Sequence, residues 1–242
     1  MSTTRVALVT GANKGLGFEV ARGLARLGWA VLLGSRDPAK GAEAAARLPA
    51  SVTPVRLDVT STTDAEEVAA LIRRRHGHLD VLVNNAGAVF RTEPAELTAA
   101  DLRRTFEANL FGAVTMIHTL LPLLRPAGHP HIVNVASTTA SLALTTAPGS
   151  MFAAATDTIA YASAKSALVM ATIRYATAFA ARPELAHVRV NAVTPGHIAT
   201  DLNGHTGPRT AEQGAKVILD LVARGADAPS GVFLNEDGPV PW

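Results

Sequence analysis

Along the chain, short runs of β-branched and other apolar residues alternate with longer, alanine-rich segments whose apolar positions recur at helical spacing. The short runs predict strands at Val6–Thr10, Ala30–Leu33, Val52–Leu57, Leu79–Asn84, Ile132–Ala136, Val188–Val193 and Val232–Leu234. Between them lie predicted helices at Leu16–Leu27, Pro38–Leu48, Thr63–His76, Ala99–Leu124, Thr158–Ala181 and Arg209–Ala223. Several strands are apolar at consecutive positions, as a sheet covered on both faces requires. Regular alternation with right-handed crossovers predicts an α/β architecture, a doubly wound, seven-stranded parallel sheet with helices on both faces. No Pro-, Gly- or Ser-rich break divides the chain and no solenoid period is present. Residues 1–242 are therefore expected to form one domain.

Local punctuation refines the boundaries. Asp37-Pro38 sets a capping acid before a proline at a first helical position, and Thr63 with Glu66 fits a capping box. Leu142–Asp157, holding Pro148-Gly149, follows neither period and reads as a loop. Composition excludes several classes. With 48% hydrophobic and 17% charged residues the chain is not disordered. Its 22 Lys and Arg against 20 Asp and Glu leave a net charge of +2, a poor footprint for nucleic acid. The tight run Arg73-Arg74-Arg75 falls at a predicted helix end, where cations are favoured. Cysteine is absent, which removes disulfides, zinc-thiolate sites and cysteine nucleophiles. No apolar run reaches the length of a membrane span, and the first ten residues lack the pattern of a secretory signal. A soluble, cytoplasmic protein is expected.

The first predicted strand runs into Thr10-Gly11-Ala12-Asn13-Lys14-Gly15-Leu16-Gly17 and then a helix. Glycines there let the chain turn off the strand, let backbone amides approach a pyrophosphate, and let helix and sheet pack closely. The helix N-terminus offers unpaired N–H groups to the phosphates. At the end of the second strand, where an acid would hold the ribose 2′-hydroxyl of NAD, the sequence is Gly34-Ser35-Arg36-Asp37. A small hydroxyl followed by a guanidinium suits a 2′-phosphate, and Lys14 adds a second cation, so NADP(H) is favoured. The alternative is that Arg36 is only a surface residue and Asp37 the ribose ligand. Further on, Tyr161 and Lys165 lie at i, i+4 on one helix face. A neighbouring ammonium is expected to lower the phenol from its usual value near 10, so the pair can serve in general acid–base chemistry.

Taken in order, Thr10 to Gly17, Asp58-Val59, Asn84-Asn85-Ala86-Gly87, Asn109, Ser137, Tyr161 with Lys165, and Pro195-Gly196 with Thr200 resemble the short-chain dehydrogenase/reductase family over nearly the whole chain. The Gly-Ala-Asn-Lys-Gly-Leu-Gly turn and the Ser-Arg-Asp continuation are most similar to those of NADPH-dependent carbonyl reductases. The resemblance implies a Rossmann-type fold and a set of roles. Tyr161 would donate a proton to a carbonyl oxygen, Ser137 would hydrogen-bond that oxygen, and Lys165 would bond the nicotinamide ribose. Asn109 would hold a water linking Lys165 to solvent. Asp58 would meet the adenine amine, Asn85, Ala86 and Gly87 would line the adenosine, and Pro195, Gly196, Ile198 and Thr200 would surround the carboxamide. The cofactor would contribute the hydride.

Alternatives remain open at several positions. Asn109 could be a buried helix asparagine, Asp58 a cap after the third strand, and Thr138 a substitute for Ser137. His76 with His78, and His129 with His131, have ligand-like spacing but no carboxylate or thiolate cluster, so no metal site is expected. His197 and His205 fall near the substrate mouth, more simply as loop residues. Two features depart from the family. The stretch from Ser137 to Tyr161 is longer than in many members, so Thr145–Asp157, with Met151 and Phe152, is expected to shape substrate choice and to obstruct helix pairing between subunits. The short Asp201–Pro208 segment implies a small lid and an open pocket. The tail from Asn235 to Trp242 reads as packing or subunit contact. The leading expectation is a reductase of a small-molecule carbonyl, reversible to the alcohol, as a monomer, dimer or tetramer. A carrier-bound 3-oxoacyl or polyketide-type ketoreductase is the alternative, with Arg91, Arg103, Arg104 and Arg209 available to an acyl carrier. A non-catalytic NADP(H) sensor would have lost Tyr161 or Lys165, and both are present.

Overall fold

A computed structural model of the protein describes residues 4–150, 152 and 155–242; Met151 lies outside them. The sheet runs in the order β3-β2-β1-β4-β5-β6-β7-β8. Its strands are β1 (Val6–Val9), β2 (Ala30–Ser35), β3 (Val52–Arg56), β4 (Val81–Asn84), β5 (His131–Val135), β6 (Arg189–Val193), β7 (Phe233–Asn235) and β8 (Gly238–Pro239). The first seven pair in parallel, as expected. The eighth was not anticipated. The chain reverses through Glu236 and Asp237, Gly238 takes φ +122°, and Leu234 and Asn235 pair antiparallel with Pro239 and Gly238. A two-residue strand is too short to leave a periodic signal. Pro54 is tolerated within β3 because that strand is an edge.

The strands are buried on both sides. One core packs α1 (Gly15–Arg26) and α8 (Ala211–Ala223) with β1, β2 and β4. The other packs α3 (Thr62–Arg75) and α5 (Gly112–Leu124) on the opposite face, with Phe179 of α7 (Ile159–Ala180). Asp37 caps α2 (Pro38–Ala45) by accepting from Ala39 N at 2.9 Å and Lys40 N at 3.2 Å. The cap of α3 is not Thr63, as expected, but Ser61, which accepts from Asp64 N at 3.2 Å. Asp64 is buried because it also accepts from Asp58 N at 2.9 Å and Arg56 at 3.1 Å, and that draws the helix start toward β3.

The predicted helix over Ala99–Leu124 is interrupted. A first segment, α4 (Ala99–Phe106), passes through a π-helical turn at Glu107–Phe111 into α5. Asn109 sits in that turn, its side-chain amide donating at 2.8 Å to Thr105 O one turn back and at 2.8 Å to Ala88 O. Such single wide turns mark places where a side chain competes for the helical ladder. By length and composition Ala99–Leu124 could cross a membrane, but its apolar residues Met116, Ile117 and Leu120 are buried against the sheet. The stretch expected to be a loop contains the short α6 (Leu142–Thr146), capped by Ser141, whose Oγ accepts from Leu144 N at 3.1 Å. Five residues are too few for periodicity to reveal.

Candidate active site

The strand order reverses between β1 and β4, and the glycine turn emerges at that switch point. Gly11 takes φ +61°, and a Cβ there would lie 3.0 Å from Ala86 Cα. Gly15 takes φ +57° and faces Thr200, whose Cγ2 would be 3.5 Å from an added Cβ. At Gly17 a Cβ would fall 2.5 Å from Asn85 Nδ2 and 2.7 Å from Gly11 O. Among the described residues no side chain caps the first amides of α1, which suits them to an anion. Thr10, given no role beforehand, holds the two strand ends together. Its Oγ1 accepts from Asn85 N at 3.0 Å and Ala86 N at 2.9 Å. The Asn85 side-chain amide donates to Thr10 O at 2.8 Å and Gly11 O at 3.0 Å, tying the end of β4 to the glycine turn.

At the end of β2, Ser35 is buried and donates to Asp37 O at 2.8 Å. Asp37 Oδ1 is engaged as the α2 cap, whereas Arg36 is exposed and forms no ion pair among the described residues. Asp58 folds into its own turn, Oδ1 accepting from Thr60 N at 3.0 Å and Thr60 Oγ1 at 2.8 Å. Val59 is buried against Gly112, where a Cβ would come within 2.6 Å of it. Lys14 is paired with the segment that follows β6. Its ammonium pairs with Asp201 across the groove, and Asp201 also accepts from His205 Nε2 at 2.8 Å. Both partners hold the Asp201 carboxyl below the usual range.

The end of β5, the start of α7 and the π-helical turn bring together four polar groups. Lys165 is buried and donates to Val135 O at 2.8 Å; loss of solvent pulls its amine down to about 8. Its Nζ lies 5.7 Å from the Tyr161 ring centre. The phenol does not behave as expected beside an ammonium: burial pushes it up to about 12, and only the hydrogen bond with Ser137 pulls the other way. With the amine turned to the Val135 carbonyl, desolvation outweighs the nearby charge. Ser137 Oγ accepts from Thr139 Oγ1 at 2.9 Å, a contact nothing in the Ser-Thr-Thr run singled out. Thr138, the substitute considered for Ser137, is engaged elsewhere, 3.1 Å from Thr194 Oγ1. Asn109 Oδ1 is buried without a hydrogen-bond partner among the described residues. A Cβ on Gly87 would lie 2.6 Å from that oxygen and 3.4 Å from Lys165 Nζ, so the bare Gly87 backbone packs closely against both groups.

On the other side, Gly196 takes φ +73° against Arg209, Ile198 is buried, and Ala199 N donates to Arg209 O at 2.7 Å. The segment after β6 is short, and Asp201 ties it to the glycine turn through Lys14. His197 is exposed and His205 pairs with Asp201. The arginines proposed for an acyl carrier are mostly engaged. Arg91 bonds Asp157 at 2.8 and 3.0 Å, Arg104 lies 3.9 Å over the Phe90 ring, and Arg209 joins Pro195 O at 3.2 Å and Glu236. His78 turns to Asp80 at 3.1 Å, and His131 is buried while His129 is exposed.

Comparison with known proteins bears on the same residues. The short chain dehydrogenase family profile matches residues 5–211. The chain is 32% identical over 232 residues to short-chain dehydrogenase anuI of Penicillium roqueforti, covering 93% of this chain and 90% of that protein. It is 31% identical to carbonyl reductase (NADPH) 1 of Sus scrofa, over 277 aligned positions covering 100% of this chain and 95% of the pig enzyme. That alignment is longer than the chain, so the pig enzyme carries segments absent here. Among solved structures, NADPH-bound carbonyl reductase from chicken fatty liver superposes with a TM-score of 0.86 at 25% identity, covering 100% of both chains. Salutaridine reductase from Papaver somniferum gives 0.82 at 27% identity, over 95% of this chain and 99% of that one. A profile match across the glycine turn, the Ser137 turn and the Tyr161 helix leaves one conclusion: the chain belongs to the short-chain dehydrogenase/reductase family of oxidoreductases, with carbonyl reductases among its relatives.

Proposed function

We propose that this chain is an NADP(H)-dependent reductase of small aldehydes or ketones, reversible to the alcohol, with Tyr161 as the proton donor. The observation that carries the reading is the half-buried Tyr161 phenol set against Ser137, the buried Lys165 amine one helical turn on, and the unpaired Asn109 Oδ1 nearby. The dinucleotide fits the residues present. The turn from Gly11 through Asn13, Lys14, Gly15, Leu16 and Gly17 would take the pyrophosphate, and Arg36 the 2′-phosphate. Asp58, Val59 and the Asn85–Gly87 backbone would face the adenosine, with Pro195, Gly196, Ile198 and Thr200 around the carboxamide. The exposed, unpaired Arg36 supports the phosphorylated cofactor, and two of the relatives carry NADPH in their names.

When bound, the nicotinamide supplies the hydride. Ser137 donates to the substrate carbonyl and stabilises the charge that builds on its oxygen. Tyr161, kept protonated by its burial, passes its proton to that oxygen. The Lys165 ammonium stabilises the phenolate left behind. A water on Asn109 Oδ1 connects Lys165 to solvent and returns the proton.

Tyr161→Phe should lower kcat by on the order of 10²- to 10⁴-fold while the NADPH dissociation constant stays unchanged. Turnover retained in that variant overturns the assignment. In the intact enzyme, kcat/KM for reduction should hold level up to about pH 8 and fall above it, because the Lys165 charge is lost there. A profile still level well above that pH would remove Lys165 from the reaction.

A further inference from the structure

The segment bearing Ser137 is tied down from several directions, and two of the ties come from the far end of the chain. Thr138 meets Thr194 at 3.1 Å, and Ser166, next to Lys165, donates to Ala140 O at 2.9 Å. Beyond them Ser141 is fully buried, its hydroxyl donating to Pro241 O at 2.5 Å. Two residues on, Ala143 N donates to Trp242 O at 2.8 Å. The Trp242 ring stacks on Phe233 of β7 with centres 6.5 Å apart and planes 25° from parallel. Val240 is buried in one apolar cluster with Phe233, Ala136 and Ala140, the last two flanking the Ser137 turn. The tail thus crosses from the sheet edge to the first turn of α6.

We propose that Ser141 and the Pro241-Trp242 tail are positioning residues for Ser137, setting the height of its turn against Tyr161. The proposal rests on the reading of Ser137 as the partner of the substrate carbonyl. Apart from its contact with the Tyr161 phenol, whose geometry is the quantity to be set, the bonds of Ser137 are local: its Oγ accepts from Thr139 N at 3.3 Å and Thr139 Oγ1 at 2.9 Å. They orient its hydroxyl but do not locate the turn relative to α7. Removing the hydroxyl of the buried Ser141 takes away the donor that holds the Pro241 carbonyl and loosens the turn from below. Hydrogen bonds to developing charge are sensitive to sub-ångström displacement. Cofactor binding is not expected to change, because the glycine turn and Lys165 are anchored on β1 and α7.

The test is a double-mutant cycle on NADPH-dependent reduction of an activated aromatic aldehyde such as para-nitrobenzaldehyde. Ser141→Ala should lower kcat roughly tenfold with the NADPH dissociation constant unchanged. In a Ser137→Ala background the same change should have no further effect, since both act through one interaction. No loss on Ser141→Ala, or an equal loss in both backgrounds, overturns the strap while leaving the role of Ser137 intact. Full activity in Ser137→Ala alone overturns the role of Ser137, and the strap with it. Should Ser141→Ala not fold, Trp242→Ala removes a ring that is 51% exposed. It should cost about threefold in kcat, again only when Ser137 is present, and any other pattern rejects the proposal.

Discussion

At the end of β1 the chain turns on glycines pressed against backbone, and at the end of β5 it turns on hydroxyls bonded to one another. In the first region Gly11, Gly15 and Gly17 have no room for a side chain, or take a backbone conformation that side chains avoid. In the second, Ser137, Thr138, Thr139 and Ser141 are placed by hydrogen bonds to Thr194, to each other and to a tail a hundred positions away. The difference separates two kinds of precision. A phosphate cradle built from amides must be sterically exact and tolerates little substitution. A carbonyl-binding turn must hold one hydroxyl at one height, and several arrangements of bonds achieve that. The largest expected effect therefore belongs to the first region. Gly17→Ala puts a methyl 2.5 Å from Asn85 Nδ2 and 2.7 Å from Gly11 O. Because one of those neighbours is backbone, relief requires moving the turn, at a cost of about 1–3 kcal/mol or more. A thermal melt should show the destabilisation and a fluorescence titration the loss of NADPH binding; unimpaired binding would mean the turn is looser than its contacts imply.

The same difference explains what could be read without coordinates. The glycine turn, Tyr161 and Lys165 are legible because their physical tasks demand one residue type at a set spacing. Seven parallel strands follow from apolar runs buried on both faces. Thr10 was missed because threonine at a strand end is ordinary, and only the approach of β4 reveals that it bonds two amides. The π turn at Asn109 was hidden because the apolar period continues through it. Ser141 carries no signal in the sequence, since its partner is set by the tertiary path of the tail. Arg91, Arg104 and Arg209 looked available because charge counting cannot see Asp157, Phe90 and Glu236 opposite them.

A second way to sharpen the comparison lies at the edge of the phosphate cradle. Arg36→Ala should weaken NADPH by roughly 10- to 100-fold, the value of a charged hydrogen bond, and NADH hardly at all. Equal losses for both would return Arg36 to the surface and reopen the ribose site to Asp37. The effect should shrink with added salt, because Arg36 is exposed.

The smallest expected effect lies where the two regions meet. Lys14 belongs to the glycine turn and Asp201 to the lid, and their ion pair joins the two across the groove. Side-chain exposures of 65% and 53% mean that solvent screens the pair, so its removal should scarcely alter thermal stability. Its consequence should appear in cofactor affinity. Asp201 places a negative charge beside the expected path of the pyrophosphate and holds the cation that would meet it. Asp201→Asn should therefore tighten NADPH binding about two- to fivefold at low salt, with the gain fading as ionic strength rises. Weaker binding would mean that the pair helps hold the groove closed over the cofactor, and the lid would then join the phosphate cradle as a part whose geometry matters more than its charge.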